Sequence, residues 1–262
     1  MKNTLASIVA AVSLLATPAF AGKYNLAEYK TVGVAPVLGS SAARGTFGSE
    51  LAAQASGLSV SADKGAAAAK AAGKGLDSSG FGFAGKAQGS DVALMVISTT
   101  LGMLPILLKV DAAKAKEKAS QIQALMPKVE GRLAPDVVKA INIALTAVQG
   151  EDAQTALKAL IVAMAVAADS ITKGNERAHG YVATGIFAGV ATMWAAAGSQ
   201  NTALGSLGAP LIAYLEQDAA MGGADRQVAA QLKIVADELN GSAPSLDKII
   251  AAIGVMQNIK PD

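Results

Sequence analysis

Side chains of the types that do chemistry at protein sites are scarce in this chain. His179 is the only histidine, and cysteine is absent. A metal site built from paired histidines and a cysteine–histidine nucleophile are therefore both excluded. Hydrolysis by a serine–histidine pair would have to use His179. That residue sits in the first turns of a predicted helix, where a polar surface or capping role is the ordinary one.

Another pattern with chemical meaning is Ser-x-x-Lys, which in penicillin-binding enzymes places a lysine amine one helical turn from a serine nucleophile. It occurs at Ser61 and Lys64, at Ser170 and Lys173, and at Ser245 and Lys248. The Ser-Asp-Asn and Lys-Thr-Gly motifs that complete that active site are both missing from the sequence. Two of these serines are better explained as helix caps, so the pattern does not predict an enzyme.

Acidic residues are scattered along the chain, and the close pairs among them are Glu151-Asp152, Glu216 with Asp218, and Asp237-Glu238. Adjacent residues of a helix diverge by about 100 degrees, so these pairs do not face each other as an acid and a base. Calcium-loop and phosphate-loop signatures are missing as well. We therefore expect no catalysis, no bound metal and no cofactor.

The elements that carry these residues begin with an export signal. Met1-Lys2 supplies a positive start, Leu5 to Leu15 an apolar stretch, and Ala19-Phe20-Ala21 a small-x-small cleavage site. Residues 1–21 are thus predicted to be a cleaved signal peptide of bacterial type. The apolar stretch is too short for a membrane anchor, which predicts a periplasmic or secreted protein.

Composition favours a helical core without aromatic pockets, because the chain is 52% hydrophobic but only 4% aromatic. Alanine-rich helices can approach each other closely through their small side chains. Since an exported chain without cysteine has no disulfides, packing alone must hold it together. The formal net charge of +2 supplies no strong field that would attract nucleic acid.

Two regions of different character follow the signal. Residues 22–89 are rich in Gly, Ala, Ser and Lys, show weak apolar periodicity, and are predicted to form a weakly structured arm. Within it, Ser61 is a candidate cap for one short helix from Ala66 to Ala72, closed by Gly73 or Gly75. Residues 90–262 are predicted to form an all-α bundle of about seven or eight helices.

Caps and apolar stripes indicate where these helices begin and end. The most hydrophobic segment, Val92 to Leu108, is expected to bend or break near Gly102 and Pro105. Asp111 is a predicted N-cap, and Pro135 is a predicted first helical residue. The last two helices are predicted from two apolar stripes, Val228, Leu232, Val235 and Leu239, then Leu246, Ile249, Ile250, Ile253 and Met256.

Four glycines recur at intervals of 24 residues, Gly150, Gly174, Gly198 and Gly222, and each is followed by a polar helix start. This spacing predicts helices of matched length in an up-and-down array. A solenoid of helix pairs is the alternative, although the side chains of the successive units do not align.

Residues 178–215 contain no Lys, Arg, Asp or Glu. Helices that are apolar all round must be covered, either inside a bundle or by lipid. Gly185 and Gly189 share one helix face, and this spacing permits close contact between helices, as in membrane dimers. Together with Phe187 and Trp194, they are the candidate residues for a helix contact or for membrane insertion.

These patterns predict an exported, non-catalytic helical protein that acts by binding or structural assembly in the cell envelope. Its expected partner is another protein or a second copy of itself, with no nucleic acid and with membrane contact as an open question. Two alternatives remain. One is an amphitropic bundle that inserts its apolar helices into membranes, as pore-forming proteins do. The other is an uncharacterised hydrolase that uses His179.

Overall fold

The computed structural model describes residues 41–78, 91–171, 176–217 and 223–259, and these ranges form an all-α bundle without a strand. This confirms the fold class expected from the sequence. The helices are α1 (Ser41–Ser56), α2 (Ala62–Ser78), α3 (Asp91–Val110), α4 (Ala112–Val129), α5 (Pro135–Gln149), α6 (Ala153–Ser170), α7 (Glu176–Ala196), α8 (Thr202–Ser206), α9 (Gly208–Gln217), α10 (Gly223–Asn240) and α11 (Leu246–Gln257), with a short 3-10 helix, Glu130–Arg132, between α4 and α5.

Several helices begin at a polar cap that the sequence makes visible. At four of them a side-chain oxygen accepts a hydrogen bond from the backbone N–H three residues later: Asp111, Asp152, Asn201 and Ser245. Such caps satisfy backbone donors that have no partner within the helix. The predicted caps at Asp111 and Ser245 are confirmed, as is the start of α5 at Pro135.

The centre of the bundle is the pair α3 and α7, which pack more extensively against each other than any other two described helices. Gly185 lies against Ser98 and Thr99, and Gly189, one turn further along α7, lies against Thr99 and Gly102, so the two helices run in the same direction. The charge-free residues of α7 are almost all buried. Of the two possibilities, burial inside a bundle or coverage by lipid, the described residues show burial inside the bundle.

The sequence predicted a bend or a break near Gly102 and Pro105. The break is wrong, because α3 is continuous from Asp91 to Val110. Proline inside a helix removes one backbone hydrogen bond and costs about 3 kcal/mol. That cost is offset because the surrounding side chains are deeply buried, among them Leu101, Leu104 and Leu107. Gly102 serves as the point of closest approach to α7 and does not interrupt the helix.

Residues 41–78 belong to the segment that was expected to be a weakly structured arm, and the structure corrects that expectation for them. These residues form α1 and α2, which pack against α6 and α3 respectively and bury Leu51, Ala52, Ala68 and Ala72. Alanine and glycine give little periodic signal in a sequence, yet they allow helices to approach closely. Helix α2 begins after Ser61 as expected but continues past both predicted glycine stops. Residues 22–40 and 79–89 lie outside the described residues.

The matched helix lengths expected from the glycine spacing are not found. Gly150 and Gly198 do follow α5 and α7, and Gly198 has a φ of +65°, which suits glycine at a helix end. However, the chain between Gly198 and Gly222 contains two short helices of 5 and 10 residues where one long helix was expected. Pro210 lies in the first turn of α9, where a missing N–H is tolerated. Gly174 and Gly222 lie outside the described residues.

Helices α10 and α11 have the predicted inward stripes. Val228, Leu232, Val235 and Leu239 are buried on α10, and on α11 all the predicted positions are buried except Ile250, which is half-buried. The two helices pack against each other, and α11 also covers part of α7. The stripes were recognisable because large aliphatic residues recur at helical spacing.

Candidate functional site

A groove of about 900 Å³ lies on the outer side of α5. We call it the α5 groove. Its walls come from the 3-10 helix, from the exposed face of α5 and from the first turn of α6. The lining residues are Glu130, Gly131, Leu133, Pro135, Val138, Lys139, Asn142, Ile143, Thr146, Ala147, Asp152 and Thr155.

The chemistry of the α5 groove is that of an apolar contact surface. Its apolar side chains include Ile143, which is 46% exposed, one of few large aliphatic side chains so exposed in the described residues. Asp152 is engaged in the N-cap of α6, where hydrogen bonding to Thr155 lowers the pKa of the Asp152 carboxyl. The lining includes no histidine or serine that would form a nucleophile and base pair.

A cluster of polar side chains lies where α7 and α10 begin. It consists of Arg177, Tyr181 and Asp225, and we call it the Tyr181 cluster. The Tyr181 hydroxyl donates to Asp225 Oδ1 over 2.6 Å, and Arg177 Nη2 lies 3.5 Å from Asp225 Oδ2. The Arg177 guanidinium also lies 5.7 Å from the centre of the Tyr181 ring. Buried charge is tolerated when it is paired and hydrogen-bonded in this way.

The electrostatics of the Tyr181 cluster hold the tyrosine in its neutral form. Burial, and secondly the hydrogen bond to the Asp225 carboxylate, raise the pKa of the Tyr181 hydroxyl well above its usual range. Asp225 is itself only 1% exposed. The cluster therefore links α7 to α10, and its tyrosine is not poised for proton transfer near neutral pH. Sequence reasoning missed it, because its only local signal is the four-residue spacing of Arg177 and Tyr181.

His179 has a structural contact at the edge of the α5 groove. The side chain is 3% exposed, and its Nε2 accepts a hydrogen bond from the Ala134 backbone N–H over 2.9 Å. A general base would need that same lone pair for its substrate's proton. This position favours a role in holding the start of α5. The sequence had predicted a polar surface or capping role on its own helix, and the burial of His179 contradicts the surface role.

Gly185 and Gly189 lie where α7 crosses α3, together with Gly102. A Cβ atom built on Gly185 would lie 2.7 Å from the Met95 carbonyl oxygen, and one on Gly189 would lie 2.7 Å from the Gly102 Cα. The backbones are thus too close for any larger residue. Phe187 is also buried but faces Gly208 of α9, and Trp194 is buried near the end of α7. The structure brings the two glycines together and leaves Phe187 on another face.

The Ser-x-x-Lys serines make ordinary helix contacts. Ser245 Oγ accepts from the Lys248 backbone N–H, Ser170 Oγ donates to the Val166 carbonyl oxygen, and the Ser61 carbonyl accepts at the start of α2. Lys173 lies outside the described residues.

Of the acidic pairs, Glu238 binds the Lys248 amine over 2.6 Å, and this bond lowers the pKa of the Glu238 carboxyl. In the described ranges no group of three acidic, histidine or cysteine side chains is placed to hold a metal.

Two described helices are long and apolar enough to cross a membrane, with spans at Ala93–Val110 in α3 and Ala153–Ser170 in α6. Most residues of both spans are buried within the bundle, as in the core helices of soluble proteins, which meet the same criteria. Helix α7, which carries Gly185 and Gly189, is not among them, whereas the most hydrophobic segment of the sequence, Val92 to Leu108, overlaps the span in α3.

The described chain is thus a helical bundle with an apolar surface groove and a buried polar cluster. No family model, curated protein or solved structure matches it. Its function has to be inferred from its own residues.

Proposed function

We propose that this chain is an exported, non-catalytic helical protein that binds another protein in the cell envelope through the α5 groove. The observation that carries the proposal is the apolar lining of this groove around the exposed Ile143. Protein interfaces are built around apolar residues that are exposed in the free protein and buried in the complex. The signal-like residues 1–21 support export.

The polar side chains of the α5 groove fit binding better than catalysis. Its charged members, Glu130, Lys139 and Asp152, come from the 3-10 helix, from α5 and from the N-cap of α6. A polar rim around an apolar centre is typical of interfaces that form and dissociate. The ionisable groups buried nearby are already committed, with Tyr181 bound to Asp225 and His179 bound to Ala134.

A matched pair of variants tests the proposal. Ile143→Asp places a charge in the α5 groove, and Val255→Asp places one on α11 outside it; both parent side chains are 46% exposed. Each variant, without residues 1–21, is compared with the wild type for binding to envelope proteins and for self-association by sedimentation. We expect Ile143→Asp alone to lose the bound protein. Equal loss in both variants, or in neither, contradicts the proposal, and a change in the oligomer alone identifies a second copy as the partner.

Membrane insertion is the second candidate, and the two span-length helices α3 and α6 favour it. Insertion would require α3 to leave its close contact with α7. The test is flotation and dye leakage with anionic and neutral lipid vesicles across a range of pH. Flotation with leakage supports insertion, whereas a protein that stays in the dense fractions under every condition excludes it for the isolated chain.

A further inference from the structure

We propose that His179 is a proton-sensitive latch, which holds the start of α5 only while its Nε2 is unprotonated. The latch would regulate the α5 groove, so its consequence for binding rests on the proposed function. The latch itself rests only on the geometry around Ala134.

The start of α5 needs an acceptor from elsewhere in the fold. Ala134 is its N-cap residue and has no polar side chain, and Pro135 follows it as the first helical residue. The Ala134 N–H is one of the backbone donors at a helix start that no carbonyl of the same helix can accept. His179, on α7, supplies the acceptor over 2.9 Å, although the two residues are 45 positions apart.

The protonation state of His179 decides whether this bond exists. A neutral imidazole has one acceptor nitrogen, whereas an imidazolium has a donor at both nitrogens. Nε2 must therefore be the unprotonated nitrogen in the described state, with the ring proton on Nδ1. When the ring gains a second proton, two N–H donors point at each other in a site that is only 3% exposed, and the bond is lost.

Charged residues from several elements surround this end of the bundle. Arg132 and Asp136 flank Ala134 along the chain, and Asp169 lies near the end of α6, where it is paired with Arg44. Arg177 and Asp225 of the Tyr181 cluster complete the set. Neighbouring charges change the free energy of the imidazolium form of a histidine. They do not change the requirement of the Ala134 N–H for an unprotonated Nε2.

The bond is well placed to act on the α5 groove. Leu133 and Pro135, on either side of Ala134, both line it. Loss of the His179 bond releases this end of the wall from α7, while the buried stripe of α5 holds the rest of the helix. The groove is thus complete at neutral pH and loses one wall as the pH falls.

Two measurements test the latch without any binding partner. Because the chain has one histidine, its ring nitrogen signals in an NMR spectrum belong to His179 alone. We expect unprotonated Nε2 at about pH 8 and an imidazolium at about pH 5. Amide hydrogen exchange of residues 131–134, corrected for the intrinsic pH dependence, is then expected to speed up about tenfold as the ring titrates.

The matched variant is His179→Gln, whose side-chain oxygen can accept the same bond but does not titrate. We expect its exchange at residues 131–134 to be independent of pH after the same correction. The latch is overturned if the ring carries its proton on Nε2 at about pH 8, or if exchange in the wild type does not change with pH. The ring measurement needs no variant, so it decides the matter even if His179→Gln does not fold. A working latch with an Ile143→Asp variant that still binds would refute the proposed function alone.

Discussion

At the scale of single residues, the contacts between distant parts of the chain determine what each polar side chain can do. Asp111 and Ser245 were predictable as caps because a cap acts on residues three positions away. Tyr181 and Asp225 are 44 positions apart, so no local pattern reveals their bond. The same holds for His179 and Ala134. A local sequence pattern therefore reveals helix caps but not the distant partners of a polar side chain.

The Tyr181 cluster leads to a prediction about alkaline pH. Because the pKa of Tyr181 in the folded protein is raised above its ordinary value of 10.0, the folded state keeps a proton that the unfolded chain loses. The stability that Tyr181 contributes through this proton is complete at pH values below 10.0, and it is lost as the pH rises through the pKa of Tyr181 in the folded protein. Tyr181→Phe is expected to cost about 1–3 kcal/mol near neutral pH. In urea unfolding from about pH 8 to about pH 11, its stability should fall less steeply than that of the wild type. Parallel curves would show that Tyr181 does not titrate differently on folding.

At the scale of elements, the crossing of α3 and α7 sets the geometry of the core. Gly185 and Gly189 were recognisable from their spacing, but Gly102 was interpreted, with Pro105, as the site of a bend or break in its own helix. Its role depends on a partner helix that the sequence does not specify. Residues 41–78 were misjudged for a related reason, since small residues show no stripe until the surface they cover is known. Long aliphatic stripes, as on α10 and α11, were predicted well.

The crossing predicts a large effect of one added methyl group. In Gly189→Ala the new Cβ would meet the Thr99 carbonyl oxygen and would lie 2.7 Å from the Gly102 Cα, so the helices must move apart. We expect a loss of about 1–3 kcal/mol in the free energy of unfolding. Gly254→Ala on α11 is the control, because a Cβ there meets nothing within 4 Å. It should be neutral or stabilise by up to about 1 kcal/mol. Equal effects of the two changes in urea unfolding would argue against the close crossing.

At the scale of the whole molecule, α1 and α2 belong to the same core as the helices after residue 90. Leu51 of α1 is 1% exposed and joins the continuous set of buried side chains that extends to α11. The all-α class followed from composition and periodicity, whereas the extent of the core did not. The α5 groove could not be predicted because it depends on how three elements meet.

The single core predicts that a change in α1 destabilises the entire described bundle. Leu51→Ala removes buried methyl groups and is expected to cost about 2–5 kcal/mol. Circular dichroism during thermal unfolding should show one cooperative transition that moves to a lower temperature. If residues 41–78 were an independent arm, the main transition would stay where it is in the wild type.

The central claim is that the α5 groove contacts another protein, and site-specific photo-crosslinking in producing cells tests it most directly. A photoreactive amino acid replaces Ile143 in one variant and Val255, equally exposed but outside the groove, in the other. The account predicts a discrete protein adduct from position 143 and none from position 255. Adducts of equal yield at both positions, or no adduct from position 143 in a folded protein, would contradict it.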